Sequence, residues 1–156
     1  MDLIHRYERF FLGMTLVALA LGLVAILVSV VGADVKLPSP VQRVDPTKLF
    51  ETPPFDSPGL KDHGDGTYEA VMTAQAWAFT PAVIEVPVGA KVTFSIASAD
   101  VVHGFLIQGT DVNLTIIPGQ VSQATATFKE PGEHLFVCHE FCGIGHQRMF
   151  GRVVVK

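Results

Sequence analysis

The segment Phe10–Ala33 reads FFLGMTLVALALGLVAILVSVVGA, without a single charge. At about 1.5 Å rise per residue, a helix over it reaches roughly 36 Å, enough to cross a hydrocarbon core of about 30 Å with some tilt. Thr15 and Ser29 are its only polar side chains, and their hydroxyls can bond back to the helix backbone. A cleavable signal peptide is the competing reading, because Val31-Gly32-Ala33 before Asp34 resembles a small-residue cleavage site. An h-region normally spans about 7–15 residues, however, and this run is far longer. Residues 1–33 are therefore expected to form a retained anchor in membrane lipid. Arg6 and Arg9 just before the span favour a cytoplasmic N-terminus, which places residues 34–156 outside the cytoplasm. The net charge of -4, with no Lys/Arg cluster, excludes a nucleic-acid partner. With 49% apolar and 17% charged residues, the chain is too hydrophobic to be disordered.

Pro38, Pro40, Pro46, Pro53, Pro54 and Pro58 crowd the segment 34–66. Such a stretch sustains neither a helix nor a central strand, so an extended linker along a surface is expected. From Thr67 onward the pattern has period two, most cleanly in Lys91–Ile96, where Val92, Phe94 and Ile96 share one face. Further strands are predicted at Tyr68–Thr73, Val83–Val86, Gly104–Gln108, Asn113–Ile117, Gln123–Phe128, His134–Cys138 and Phe150–Val155. Turn signals at Pro87-Val88-Gly89, Pro118-Gly119 and Pro131-Gly132 separate several of them. The expectation is a small all-β antiparallel sandwich or barrel over residues 67–156.

The chemistry concentrates in one loop between two predicted strands, Cys138-His139-Glu140-Phe141-Cys142-Gly143-Ile144-Gly145-His146-Gln147-Arg148-Met149. A further histidine, His103, stands near a strand end. Two thiolates, imidazoles and a thioether form a soft ligand set suited to copper. A mononuclear blue-copper site uses one Cys, two His and a weak Met, and would leave one cysteine idle. Two thiolates bridging two ions, each capped by one histidine, employ His103, Cys138, Cys142 and His146 completely. Met149 then serves one ion and a loop carbonyl the other. A Cys138–Cys142 disulfide and a Cys₂His₂ zinc site are the alternatives. Neither uses Met149.

The Cys138–Met149 segment resembles the CuA signature of cytochrome c oxidase subunit II, and Val102-His103-Gly104-Phe105 resembles that family's first histidine motif. Arg43-Val44-Asp45-Pro46, Ile84-Glu85-Val86-Pro87 and Met149-Phe150-Gly151, with one N-terminal span, look most like the short ba-type (B-family) heme–copper oxidases. The resemblance implies a cupredoxin-like Greek-key barrel or sandwich behind one transmembrane helix. It implies two copper ions, bound by His103, Cys138, Cys142, His146 and Met149 side chains and the Glu140 carbonyl. Electrons would come from a cytochrome c and pass to heme in a multi-span subunit I, where oxygen is reduced and protons are translocated; no catalytic residue is expected here. In many relatives the acid at the Glu140 position also reaches a Mg²⁺ at that subunit interface, an ion the ba-type branch tends to lack. The alternative for Glu140 is a carboxylate hydrogen-bonded within its loop. His139 departs from the family's small or amide residue. Trp77, in Ala76-Trp77-Ala78-Phe79, aligns with an aromatic segment where electrons enter; aromatic packing is the alternative. Tyr7-Glu8-Arg9 resembles a segment whose acid stands at a proton-pathway entrance, the alternative for Glu8 being an interfacial charge paired with Arg6 or Arg9. A small single-helix subunit is implied in place of the missing second span. Two other functions share parts of the pattern: a nitrous oxide reductase-like electron-transfer domain, and a membrane-anchored copper-binding or copper-delivery protein.

Overall fold

The computed structural model describes residues 2–32 and 41–156, which fall into an N-terminal helical unit and a β unit. Helix α1 covers Asp2–Gly32 and so begins eight residues before the uncharged run. Leu3–Gly32 is apolar and long enough to cross a bilayer, and every residue in it is exposed. An apolar surface of that extent needs lipid or protein to cover it. Thr15 Oγ1 donates to the Phe11 carbonyl at 2.9 Å, which satisfies the hydroxyl inside the helix as expected.

The β unit is a sandwich of two sheets. The first has the order β1 (Gln42–Arg43), β9 (Gln120–Thr127), β6 (Lys91–Ser98), β3 (Thr67–Gln75), β2 (Gly59–Asp62), with β4 (Ala78–Thr80) folded back on β3. The second runs β5 (Val83–Val86), β11 (Phe150–Val155), β10 (Gly132–Val137), β7 (His103–Ile107), β8 (Asn113–Ile116). All eight strands expected from alternation are present. Their pairing is not purely antiparallel, as the sequence suggested: β3 pairs parallel with β6, and β5 with β11. The cause is a crossover. After β4 the chain leaves the first sheet, adds β5 to the second, and returns as β6.

Alternate residues of both sheets point inward. Phe105 stacks against Phe79, Phe94 and Phe136 with centroids 5.3, 5.7 and 5.1 Å apart, and all four rings are buried. Such tilted and edge-to-face pairs favour each ring's quadrupole and fix the spacing of the sheets. Val92, Ile96, Ile107, Ile116 and Val153 complete the layer.

The segment expected as a linker corrects the sequence reading. Its residues 34–40 lie outside the described residues, but 41–66 belong to the β unit. Asp45 caps a 3-10 turn at Pro46–Glu51, accepting from Thr47 N at 3.0 Å, and Pro46 occupies the first turn, where no N–H is needed. Leu49 and Phe55 are fully buried, and with Val44 they cover Val71, Ala97 and Val121 on the outer face of the first sheet. Proline does keep this segment out of the sheet centre: β1 and β2 are its two edges. The boundary anticipated at residue 67 therefore gives way to a domain that begins near residue 40.

Candidate metal centre

The ligand loop is clipped at its base. Val137 pairs with Phe150 across β10 and β11, and Cys138 N donates to the Met149 carbonyl at 3.0 Å. The intervening residues must therefore turn back within one sheet edge, and the short 3-10 turn His146–Arg148 helps them do so. His103 opens β7, the neighbouring strand, and points into the same space. Cys138, Cys142, Met149 and His103 are all buried.

The two thiols are free, with their Sγ atoms 3.8 Å apart. A disulfide requires about 2.05 Å. His103 Nδ1 stands 4.0 Å from Cys138 Sγ, and His146 Nδ1 stands 3.5 Å from Cys142 Sγ. Met149 Sδ is 3.6 Å from Cys142 Sγ, and the Glu140 carbonyl lies 3.2 Å from Cys138 Sγ. Sequence reasoning named these six residues, and the fold brings all of them together. An ion that binds thiolates at about 2.3 Å can touch two sulfurs at once only if they lie within about 4.6 Å of each other. The observed separation meets that condition, and each sulfur has one imidazole nitrogen beside it. The donor set thus fits two soft ions sharing both sulfurs. Burial, and then the adjoining Cys138 thiol, push the Cys142 thiol up to about 11, so metal binding at neutral pH must displace its proton.

Asp100, which the sequence reading passed over, backs this cluster. Its Oδ1 lies 2.9 Å from His103 Nε2 and accepts from Val101 N at 2.7 Å, while Oδ2 accepts from Ala76 N at 2.7 Å. Burial pushes its carboxyl up, but the hydrogen bonds from His103, Ala76 and Val101 outweigh it and hold the group below the usual carboxylate value. The one available signal was an acid three residues before a histidine.

Trp77 lies against the ligand loop. Its indole Nε1 donates to the Cys142 carbonyl at 3.1 Å, and a methyl group at Gly143 or Gly145 would run into the ring. The two glycines are thus the seat of the indole, and Trp77 as a whole remains 44% exposed. His139 also finds a contact: its ring covers Gly104, where a Cβ would come within 2.6 Å of it. The Glu140 carboxylate points outward, 3.8 Å from His139 Nδ1. Among the described residues, the one close grouping of three or more His, Cys, Asp or Glu ligand atoms is His103, Cys138 and Cys142, which leaves out the Glu140 carboxylate. Glu8 lies on α1, with its carboxylate 3.3 Å from His5 Nδ1, a pairing different from the Arg6 or Arg9 expected.

Comparison with known proteins gives a consistent picture. Residues 70–156 match the family model described as cytochrome c oxidase subunit II, periplasmic domain. Cytochrome c oxidase subunit 2 of a Thermus thermophilus strain is 39% identical over 154 residues, covering 96% of this chain and 92% of that protein. A chain of a heme–copper terminal oxidase dimer, solved by cryo-electron microscopy, is 34% identical with a TM-score of 0.69, covering 96% of this chain and 99% of its own. The periplasmic domain of subunit II (CoxB) of Bradyrhizobium japonicum shares the fold at 19% identity and a TM-score of 0.51, covering 56% of this chain and 83% of its own. The architecture is cupredoxin-like, with one apolar N-terminal helix.

Proposed function

Because the chain belongs to the cytochrome c oxidase subunit II family, we propose that it is the subunit through which electrons enter a heme–copper terminal oxidase, by way of two copper ions. It is a component of an oxidoreductase complex, anchored in the membrane, with its β unit on the periplasmic side. The observation that carries the reading is the pair of buried free thiols 3.8 Å apart, each with one imidazole Nδ1 beside it. His103, Cys138, Cys142, His146, Met149 and the Glu140 carbonyl would hold the ions. A copper pair there would supply one-electron chemistry, with the charge change shared by both ions.

The chain's own residues keep that site closed and rigid. Both sulfurs and the thioether are buried under the clipped loop, which leaves little room for a substrate and little solvent to reorganise. The same enclosure weighs against a delivery protein, whose ligands must be exposed to exchange metal. Electrons come from a cytochrome c and pass to heme in subunit I. Trp77 receives them: it is partly exposed, and its Nε1–H is joined to the carbonyl of Cys142, the residue that also supplies a sulfur to the site. The N-terminus is cytoplasmic, Glu8 stands at a proton-pathway entrance on that side, and a small single-helix subunit accompanies α1. A Mg²⁺ at the subunit interface through the Glu140 carboxylate would need further carboxylate or water ligands.

Metal analysis and electron paramagnetic resonance of the oxidised full chain in detergent test the reading. Two coppers per chain, with one unpaired electron shared by both nuclei, are expected. One copper, zinc, or a metal-free Cys138–Cys142 disulfide would overturn it. A Trp77→Ala variant with full copper and an unchanged rate of electron uptake from cytochrome c would remove Trp77 from the route.

A further inference from the structure

We infer that Asp100 is a positioning residue that fixes the tautomer and aim of His103 and ties the Trp77 segment to it, making the two imidazole ligands unequal. The inference rests on the copper reading above for its consequences, but not for its geometry. Three N–H groups converge on one carboxylate: His103 Nε2 at 2.9 Å, Val101 N at 2.7 Å and Ala76 N at 2.7 Å. Ser98 Oγ lies 3.3 Å from Oδ1, but its single proton goes to the Val101 carbonyl at 2.6 Å. Two backbone amides can only donate, so the carboxylate is an acceptor there, and the histidine must also give it a proton. Nε2 therefore carries a proton, and in the neutral ring it is Nδ1, facing Cys138, that is bare. This is set before any metal arrives. A hydrogen bond from the remote ring nitrogen to a carboxylate also raises the basicity of the other nitrogen.

His146 has no such support. Its ring is half-buried beside Phe141, with centroids 5.9 Å apart, and no carboxylate reaches it among the described residues. The ion beside His103 thus has the stronger imidazole donor. Asp100 also reaches the other wall of the site. Ala76 directly precedes Trp77, so the carboxylate links His103 to the indole that lies on Gly143 and Gly145. An amide cannot do the same work. Asn offers one acceptor oxygen and one donor nitrogen, so in Asp100→Asn either the Ala76 amide or the His103 ring faces another donor.

The test uses the full chain in detergent, first without metal. Nitrogen-15 spectra of the histidine rings should show His103 as the Nε2–H tautomer and His146 as a mixture. Asp100→Asn should turn His103 into a mixture and shift the emission of Trp77, the sole tryptophan. With copper, the variant should bind about tenfold more weakly. Its preference for the oxidised state should also fall by about tenfold, a rise in potential of about 59 mV for one electron. An Nδ1–H tautomer at His103 in the metal-free wild type would overturn the inference even if the variant did not fold. So would a folded Asp100→Asn chain with wild-type ring tautomer, copper affinity and potential. Failure of the wild-type chain to bind two coppers would strike the proposed function instead, leaving the metal-free result to decide on Asp100.

Discussion

Gly145 is the sharpest place to test how Trp77 is held. Its φ is -91°, so alanine meets no backbone strain there and any cost is steric. A Cβ at this position would lie 2.6 Å from both Cγ and Cε3 of the Trp77 ring, and closer still to Cδ2. Ordinary carbon contacts begin near 3.5 Å, so the indole must retreat by at least about 0.9 Å. That retreat breaks the hydrogen bond from Nε1 to the Cys142 carbonyl, worth about 1 kcal/mol. It also lifts part of a half-buried ring from its seat; about 50 Å² of fresh apolar surface adds roughly 1.3 kcal/mol. Gly145→Ala should therefore cost about 2 kcal/mol, a drop in melting temperature on the order of 5–10 °C for a domain of this size. Thermal unfolding of the metal-free protein measures it, with Trp77 emission as a local probe. The decisive control is the same substitution in a Trp77→Ala background, where the clash is gone and a gain of about 0.4–1 kcal/mol is expected from the less flexible unfolded chain. An equal loss in both backgrounds would refute the packing argument.

Phe105→Ala removes the ring at the centre of the aromatic cluster and should destabilise the domain by about 3–5 kcal/mol in denaturant titrations. A fragment starting at residue 67 loses both edge strands and bares Val71, Ala97 and Val121. It should aggregate or unfold, where a fragment starting at residue 40 folds; gel filtration and circular dichroism would separate the two. Cys142 and Asp100 each tie the stability of the metal-free domain to pH. Cys142 holds its proton more tightly when folded, so its contribution is present below pH 9.0 and is lost as pH rises toward about 11. Asp100 holds its proton less tightly when folded, so its contribution is present above pH 3.8 and is lost as pH falls through the depressed native value. In Asp100→Asn the acid limb should move, and the alkaline limb should shift slightly downward, because the Asp100 charge is one of the smaller causes that raise Cys142.

Alternation made eight strands legible, β5 and β8 at the edges of the second sheet among them, because every second residue of each faces the core between the sheets. The metal ligands were legible for a different reason: four of them sit within one loop, at intervals visible along the chain. What escaped the reading depends on contacts between distant residues. Strands β1, β2 and β4 have only two to four residues, too few for a repeat to stand out. They exist because β9 and β3 offer free edges. The parallel pairs arise from where the chain crosses between sheets, which no local pattern records. Asp100 reads locally as a turn residue, and only the fold aims three donors at it. His139 had no visible partner because its contact, Gly104, lies on another strand.

The distribution of ligands along the chain has a consequence for how copper and folding depend on each other. Cys138, Cys142, His146 and Met149 are local, whereas His103 is 35 residues away. An unfolded or newly secreted chain therefore already offers most of a soft-metal site. Metal held by the unfolded state subtracts from the stabilisation that metal gives the folded one. The rise in melting temperature on adding copper should consequently understate the total affinity. What it reports is the increment that folding adds: the arrival of His103, and the confinement of two sulfurs to one fixed separation.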